Sequence, residues 1–299
     1  MADLYLSLLV MTVFSLAMFA AVRRATRGFS PQGVNRTAVA VVGLIVGYIL
    51  LVWDRWWLAR VFPYSSLIVV GNWFPLWAAT LAALVWHRTT GHPWRRAVDV
   101  LALAAVAVFS LVAPFLGAAP ECGADWQEGR FCLQTTPVTC TPASAATLLR
   151  FHGIDASEQE MAELCLTRRG TTWQGLYHGL KRKTAGTRWD VEVTQPDFAS
   201  LRSLAEQSGS PMLLRVGLAS NAQVSPEFER ELGWRPGTGH SVVLLRFLSN
   251  EMVEVADPTP GIGREQWTVD EFQTLWDGQI VRLVPRRTGF QPVAAMVAR

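Results

Sequence analysis

The sequence predicts four membrane-spanning helices followed by an α+β domain in which a helical lobe leads into an antiparallel sheet. Three observations carry that expectation. The 299 residues are 50% hydrophobic and only 17% charged, which is apolar for a water-soluble chain. The long apolar runs all lie in residues 1–118, whereas 119–299 has ordinary globular composition. Within that second part, apolar residues recur first at helical spacing and later in alternation, the pattern of helices segregated from a sheet.

The apolar runs are Leu4–Val22, Thr37–Trp53, Val61–Trp86 and Ala97–Gly117. Each is of a length to cross a hydrocarbon core of about 30 Å. Four such runs in succession leave no polar face to meet water, which argues against buried helices of a soluble protein. Arg23, Arg24, Arg27 and Arg36 separate the first two runs, and Arg88, Arg95 and Arg96 separate the last two. The middle loop holds Arg55 and Arg60, offset by Asp54. The positive-inside rule then puts the arginine-rich loops in the cytoplasm. The N-terminus and everything after Gly117 are expected outside, on a bacterial-type inner or plasma membrane. The first run follows Met1–Asp3, which carries no positive charge, and so is read as an anchor instead of a cleaved signal. Trp53, Trp56, Trp57, Trp73, Trp86 and Trp94 cluster near the span ends as an interfacial belt. Asp99, in the first turn of the fourth run, is expected at the interface.

In the 119–299 domain, Cys140 opens a helix, with Pro142 tolerated in its first turn and Ala143, Ala145, Ala146, Leu148 and Leu149 pointing inward. Ser157 and Glu160 form a capping-box pattern for a helix to about Leu166, and Thr172 precedes another carrying Leu176 and Leu180. Trp189–Val193 alternates as a strand, and Asp197 starts a helix to about Gln207. Met212–Val216 reads as a strand, Ser220–Gly239 as a loop, and Ser241–Phe247 with Met252–Ala256 as a hairpin. Thr268 and Glu271 make a second capping box, for a helix to about Trp276, and Ile280–Val284 closes as a strand. A loose tail is expected from about residue 286.

The chemistry centres on Cys140. A thiol at a helix N-terminus feels the positive end of the macrodipole, which favours the thiolate. Gln134 lies six residues upstream, with an amide that could donate to a developing oxyanion. His240 starts one strand of the hairpin and Asp257 ends the other, which makes them neighbours across the pair. A carboxylate there can hold the imidazole tautomer while the second ring nitrogen faces a thiol. Cys122 and Cys132 flank a short polar loop and could pair in an oxidising compartment, with other pairings left open. Cys165, at helical spacing from Met161, reads as a small core residue. With no C-x-x-C and scattered histidines, no metal or other cofactor is expected. No basic patch interleaved with aromatics points to nucleic acid, and no G-x-x-x-x-G-K-[ST] loop points to a nucleotide.

These residues resemble a known family. From Gln134 to about Val284 the chain is similar to C39-type cysteine peptidases, which have a papain-like fold. The matching features are Gln134 before Cys140, the Cys-x-Pro-Ala helix opening, Gly239-His240 before an apolar strand, Ala256-Asp257-Pro258 after the next, and Asp270–Gly278. The resemblance implies Cys140 as nucleophile, His240 as general base and acid, Asp257 as orienter and Gln134 as oxyanion donor. It implies a peptide or protein substrate, with the lipid bilayer as the other partner. Many family members have glycine directly after the catalytic cysteine, where this chain has Thr141. Two other classes share these features: a degenerate domain that binds peptides without cutting them, and a transport or assembly protein gated by the domain.

Overall fold

In the computed structural model, the apolar runs of the first 118 residues are helical, and the third alone is broken. The structure describes residues 2–89, 92–222 and 233–286; the centre of the 220–239 loop and the tail after Arg286 lie outside the described residues. The chain divides into two units, Met1–Ala118 with Trp173–His178, and Ala119–Thr172 with Gly179–Arg299.

The first unit contains α1 (Ala2–Ala25), α2 (Pro31–Leu51), the single turns α3 (Leu58–Val61) and α4 (Leu67–Val70), α5 (Phe74–Arg88) and α6 (Pro93–Val112). Among the described residues, four stretches are long and apolar enough to cross a membrane: Asp3–Ala25, Pro31–Leu51, Leu67–Arg88 and Pro93–Phe115. Helix α2 starts well before Thr37 because Ser30 caps it, accepting from Gly33 N at 3.2 Å, with Pro31 in the first turn. The third run was expected to be continuous, but Pro63 lacks an N–H to donate and the chain turns again at Gly71–Asn72. The freed backbone groups there are satisfied from another helix. Tyr48 Oη donates to Gly71 O at 2.7 Å and accepts from Trp73 N at 3.0 Å, while Asn72 Oδ1 accepts from Phe74 N at 3.2 Å. Such compensation is what an apolar surrounding demands of a broken helix. Helix α5 packs against α1, α2 and α6, and its buried Ala78, Ala82 and Ala83 permit close approach. Asp99 accepts from Thr89 Oγ1 at 2.8 Å, across the α5–α6 connection.

The second unit begins with a small hairpin, β1 (Asp125–Gln127) and β2 (Phe131–Leu133). Then come α7 (Cys140–Phe151), α8 (Glu158–Leu164), α9 (Trp173–Lys183), β3 (Trp189–Thr194), α10 (Phe198–Ser208), β4 (Met212–Gly217), β5 (Gly239–Phe247), β6 (Met252–Asp257), β7 (Gly263–Thr268), α11 (Val269–Leu275) and β8 (Trp276–Pro285). Strands β3 to β8 form one antiparallel sheet in the order β3-β8-β4-β5-β6-β7. Alternation along β5 and β6 sends side chains to opposite faces. Val242 and Val255 join Leu201 of α10 and Phe272 of α11 on one side. Val243 and Ala256 meet Phe131, with Phe151 of α7, on the other. The helices therefore cover both faces, and the start of β5 stands beside the start of α7.

Three caps behave as side-chain chemistry dictates. Ser157 accepts from Glu160 N at 3.1 Å, Asp197 from Ser200 N at 2.7 Å, and Thr268 from Glu271 N at 3.2 Å. Only the last is a full capping box, because the Glu160 carboxylate instead takes the Lys183 ammonium at 2.6 Å. Strands β1, β2 and β7 were not expected from the residue pattern. Strand β7, Gly-Arg-Glu-Gln-Trp-Thr, is an edge strand that buries Gly263 and Trp267 and is held by its ladder to β6, so its apolar pattern is faint. Strand β8 starts at Trp276, at the position expected to end the preceding helix.

Candidate active site

Cys140 is the first residue of α7, the N-terminal end of a helix of 12 residues. The turn before it is fixed by Thr139, whose Oγ1 donates to Thr136 O at 3.0 Å and whose carbonyl accepts from Ala143 N at 3.0 Å. Behind Cys140 the residues Ala143, Ala145, Ala146, Leu148 and Leu149 are fully enclosed, so the body of the helix runs through the domain interior.

His240 is the second residue of β5, paired with Val216 of β4. Its approach is set by Gly217, at φ +149, where a Cβ would stand 2.4 Å from Thr238 O. Only glycine allows the 237–239 backbone to come that close before the strand begins. Asp257 is the last residue of β6 and is buried. Its Oδ1 lies 2.9 Å from His240 Nε2 and accepts from Thr259 N at 2.7 Å. With Nε2 held by the carboxylate, Nδ1 is the ring nitrogen left for the thiol. The Cys140 thiol and the His240 imidazole interact through their side chains, each favouring the charged form of the other.

The electrostatics follow from that geometry. Burial pushes the Cys140 thiol up, but the hydrogen bond and charge of His240, the Thr141 hydroxyl and the Ser241 N–H together bring it below its ordinary value. Burial pushes His240 down, and the bonds to Asp257 and Cys140 outweigh it, so the imidazole holds its proton well above the usual range. Burial likewise opposes the charge on Asp257, and the imidazolium and Thr259 more than offset it. The three groups favour thiolate, imidazolium and carboxylate together. They titrate as one coupled set.

Gln134 lies in the β2–α7 connection, pinned by Gln134 N donating to Pro258 O at 2.7 Å, next to Asp257. One proton of its side-chain amide goes to Thr136 O at 3.0 Å, and its Oε1 is buried without a partner. Thus the structure brings Cys140, His240 and Asp257 together and ties Gln134 through its backbone to Pro258, next to Asp257. All four cysteines are free thiols, so Cys122 and Cys132 are not joined. Cys132 is buried in β2 and points to Leu133 O, while Cys122 Sγ donates to Pro120 O at 3.5 Å.

Three neighbours of the site were not apparent in the sequence. Thr141 Oγ1 and Ser241 Oγ meet at 2.7 Å, joining the residue after Cys140 to the residue after His240. Trp234 stands edge-on to His240, with ring centroids 5.8 Å apart, and to Trp267 at 6.0 Å. Adjacency to Cys140 and His240 was the available signal for the hydroxyls. For Trp234 there was none, since it lies in a loop.

The family model described as the Peptidase_C39 like family matches residues 127–279 of this chain. No curated protein matches it. Among solved structures, the peptidase domain of Streptococcus ComA, a bi-functional ABC transporter involved in a quorum sensing pathway, is 20% identical with a TM-score of 0.41, covering 52% of this chain and 98% of that one. A C39-like peptidase from Bacillus anthracis is 16% identical with a TM-score of 0.41, covering 56% and 99%. A double glycine motif protease from an AMS/PCAT transporter, solved with a leader peptide, is 14% identical with a TM-score of 0.38, covering 57% and 96%.

Proposed function

The chain belongs to the Peptidase_C39 like family, and from that premise we propose that it is a membrane-anchored cysteine peptidase. The observation that carries the reading is Cys140 at the mouth of α7 interacting with His240, whose Nε2 is held by Asp257 at 2.9 Å. Residues 1–118 serve as the membrane region and 119–299 as the peptidase domain. The outward apolar side chains of the long helices, such as Leu16, Leu44, Leu101 and Phe109, are exposed and call for lipid. The arginine distribution between the spans favours an extracytoplasmic N-terminus and domain.

In this mechanism the Cys140 thiolate attacks a peptide carbonyl, forming a C–S bond and a tetrahedral oxyanion. The Cys140 N–H and the second amide proton of Gln134 stabilise that oxyanion. His240 gives its proton to the leaving amine as the C–N bond breaks. Water, deprotonated by His240, then attacks the thioester and releases the acid and the thiol. Asp257 keeps Nε2 of the imidazole engaged throughout, so that Nδ1 stays toward the sulfur.

Alkylation of Cys140 across pH, followed on the full-length chain in detergent, tests the reading. His240 has its pKa raised to about 10, so it stays protonated, and the pair intact, until pH climbs through that value. The Cys140 pKa is lowered, so thiolate persists below its ordinary range and disappears only as pH falls further. The expected profile is a plateau through neutral pH. In His240→Ala burial is no longer offset by the imidazolium, so the profile should move up to the free-thiol value of about 8.5 or above. Two superimposable profiles of a free-thiol kind would refute the pair, and a peptide-binding role would take its place.

A further inference from the structure

Two buried hydroxyls join the nucleophile's element to the base's element. Thr141, next to Cys140 on α7, and Ser241, next to His240 on β5, place Oγ1 and Oγ 2.7 Å apart. Ser144, one turn along α7, donates its hydroxyl to Ser241 O at 2.8 Å. A single helix turn therefore holds residue 241 of the strand by side chain and by backbone. Thr141 Oγ1 also stands 4.0 Å from Cys140 Sγ, a long contact at the edge of sulfur hydrogen bonding.

Packing alone does not call for this pair. Both residues are buried, and a valine facing an alanine would fill the same space without the cost of desolvating two hydroxyls. Each hydroxyl carries one proton and two lone pairs. When Ser241 donates to Thr141, the Thr141 proton is free to turn toward the sulfur. A donor directed at a thiolate favours the charged form.

We infer that Thr141 and Ser241 are positioning residues, forming a relay from Ser241 Oγ through Thr141 Oγ1 to Cys140 Sγ that holds the thiolate against His240. The inference rests on the peptidase reading and adds to it a fixed distance between α7 and β5. Titratable groups facing Cys140 are His240 from β5, with Asp257 of β6 behind the imidazole and Glu265 of β7 sensed by both. Thr141 is the side-chain donor from α7 itself, and the Ser241 N–H is a second donor from β5.

The test uses the full-length chain in detergent and iodoacetamide as the probe. Modification of the peptide bearing Cys140 is read by mass spectrometry from about pH 4 to about pH 10, so the other three cysteines do not contribute. Thr141→Val keeps the volume and removes the hydroxyl. The alkylation midpoint should rise by about one pH unit, with kcat on a cleaved peptide falling about tenfold and KM unchanged. Thr141→Ser should restore both. An unmoved midpoint in Thr141→Val, with His240→Ala still shifting the profile, overturns the relay and leaves the thiolate–imidazolium pair standing. If His240→Ala leaves the profile unmoved as well, the peptidase reading and the relay fail together. Should Thr141→Val not fold, Ser241→Ala breaks the relay from the strand side, and a midpoint that stays in place there overturns the inference equally.

Discussion

Cys140 and Cys165 both sit at helix ends in the same domain, and at opposite ends. Cys140 is the first residue of α7, where unpaired N–H groups point outward. Cys165 is the C-cap of α8, where carbonyls point outward. Cys140 has His240 beside it, and its thiol lies below its ordinary value despite burial. Cys165 is 1% exposed, and burial drives its thiol far up. Gly179 of α9 packs against it so tightly that a Cβ there would lie 2.4 Å from Cys165 Sγ. One sulfur is thus held toward the thiolate and the other fills space. Helix polarity, a cationic partner and access make the difference, since the side chain is the same.

The sharpest way to break that contrast is to remove each thiol in turn. Cys140→Ala should lower peptide turnover by about four orders of magnitude or more while the fold persists. Cys165→Ala should leave kcat within about twofold. Equal losses in the two variants, measured on purified full-length chain, would erase the distinction. Next in size is Gln134→Ala, which should cut kcat by about a hundredfold to a thousandfold with KM little changed. A rise in KM alone would make Gln134 a substrate contact. Gly179→Ala acts on the filler side. It should destabilise the fold by about 1–3 kcal/mol through overpacking against Cys165, with turnover per folded molecule preserved. A thermal melt coincident with the parent's would show that α9 can shift at no cost.

The smallest expected effect concerns His152, at the far end of α7. Its Nδ1 meets Leu148 O at 2.9 Å, its Nε2 is buried without a partner, and it packs edge-on against Trp189. Burial holds its pKa below the ordinary 6.5. The unfolded chain therefore takes up the proton first as pH falls, and the stability His152 contributes is complete above 6.5 and lost below it. Melting temperature should decline more steeply from pH 7 to about pH 5 in the parent than in His152→Phe. Parallel slopes would remove His152 from the acid response.

Much of the fold was readable because it depends on short stretches of chain. Apolar runs marked the long apolar helices, Ser157, Asp197 and Thr268 marked helix starts, and the alternation in 241–247 and 252–256 marked the central hairpin. The candidate residues Cys140, His240 and Asp257 stood out because each sits at the end of an expected element, and Gln134 because it lies six residues before Cys140. The edge strand β7 stayed hidden because ladder bonds to β6 hold it and its side chains scarcely signal it. The pairing of Thr141 with Ser241 was not readable because a hydroxyl one residue from a stronger candidate looks ordinary until its partner is known.

Local order along this chain, then, follows from periodicity and capping, which act over a few residues and can be seen without a fold. The break in the third apolar run needed Tyr48 to arrive from another helix and bond Gly71 and Trp73. The 2.9 Å contact of His240 with Asp257 and the 2.7 Å contact of Thr141 with Ser241 needed α7, β5 and β6 to be packed together. Those contacts join residues up to 100 positions apart. Hydrogen bonds act over about 3 Å, so such partners become determined when the core closes.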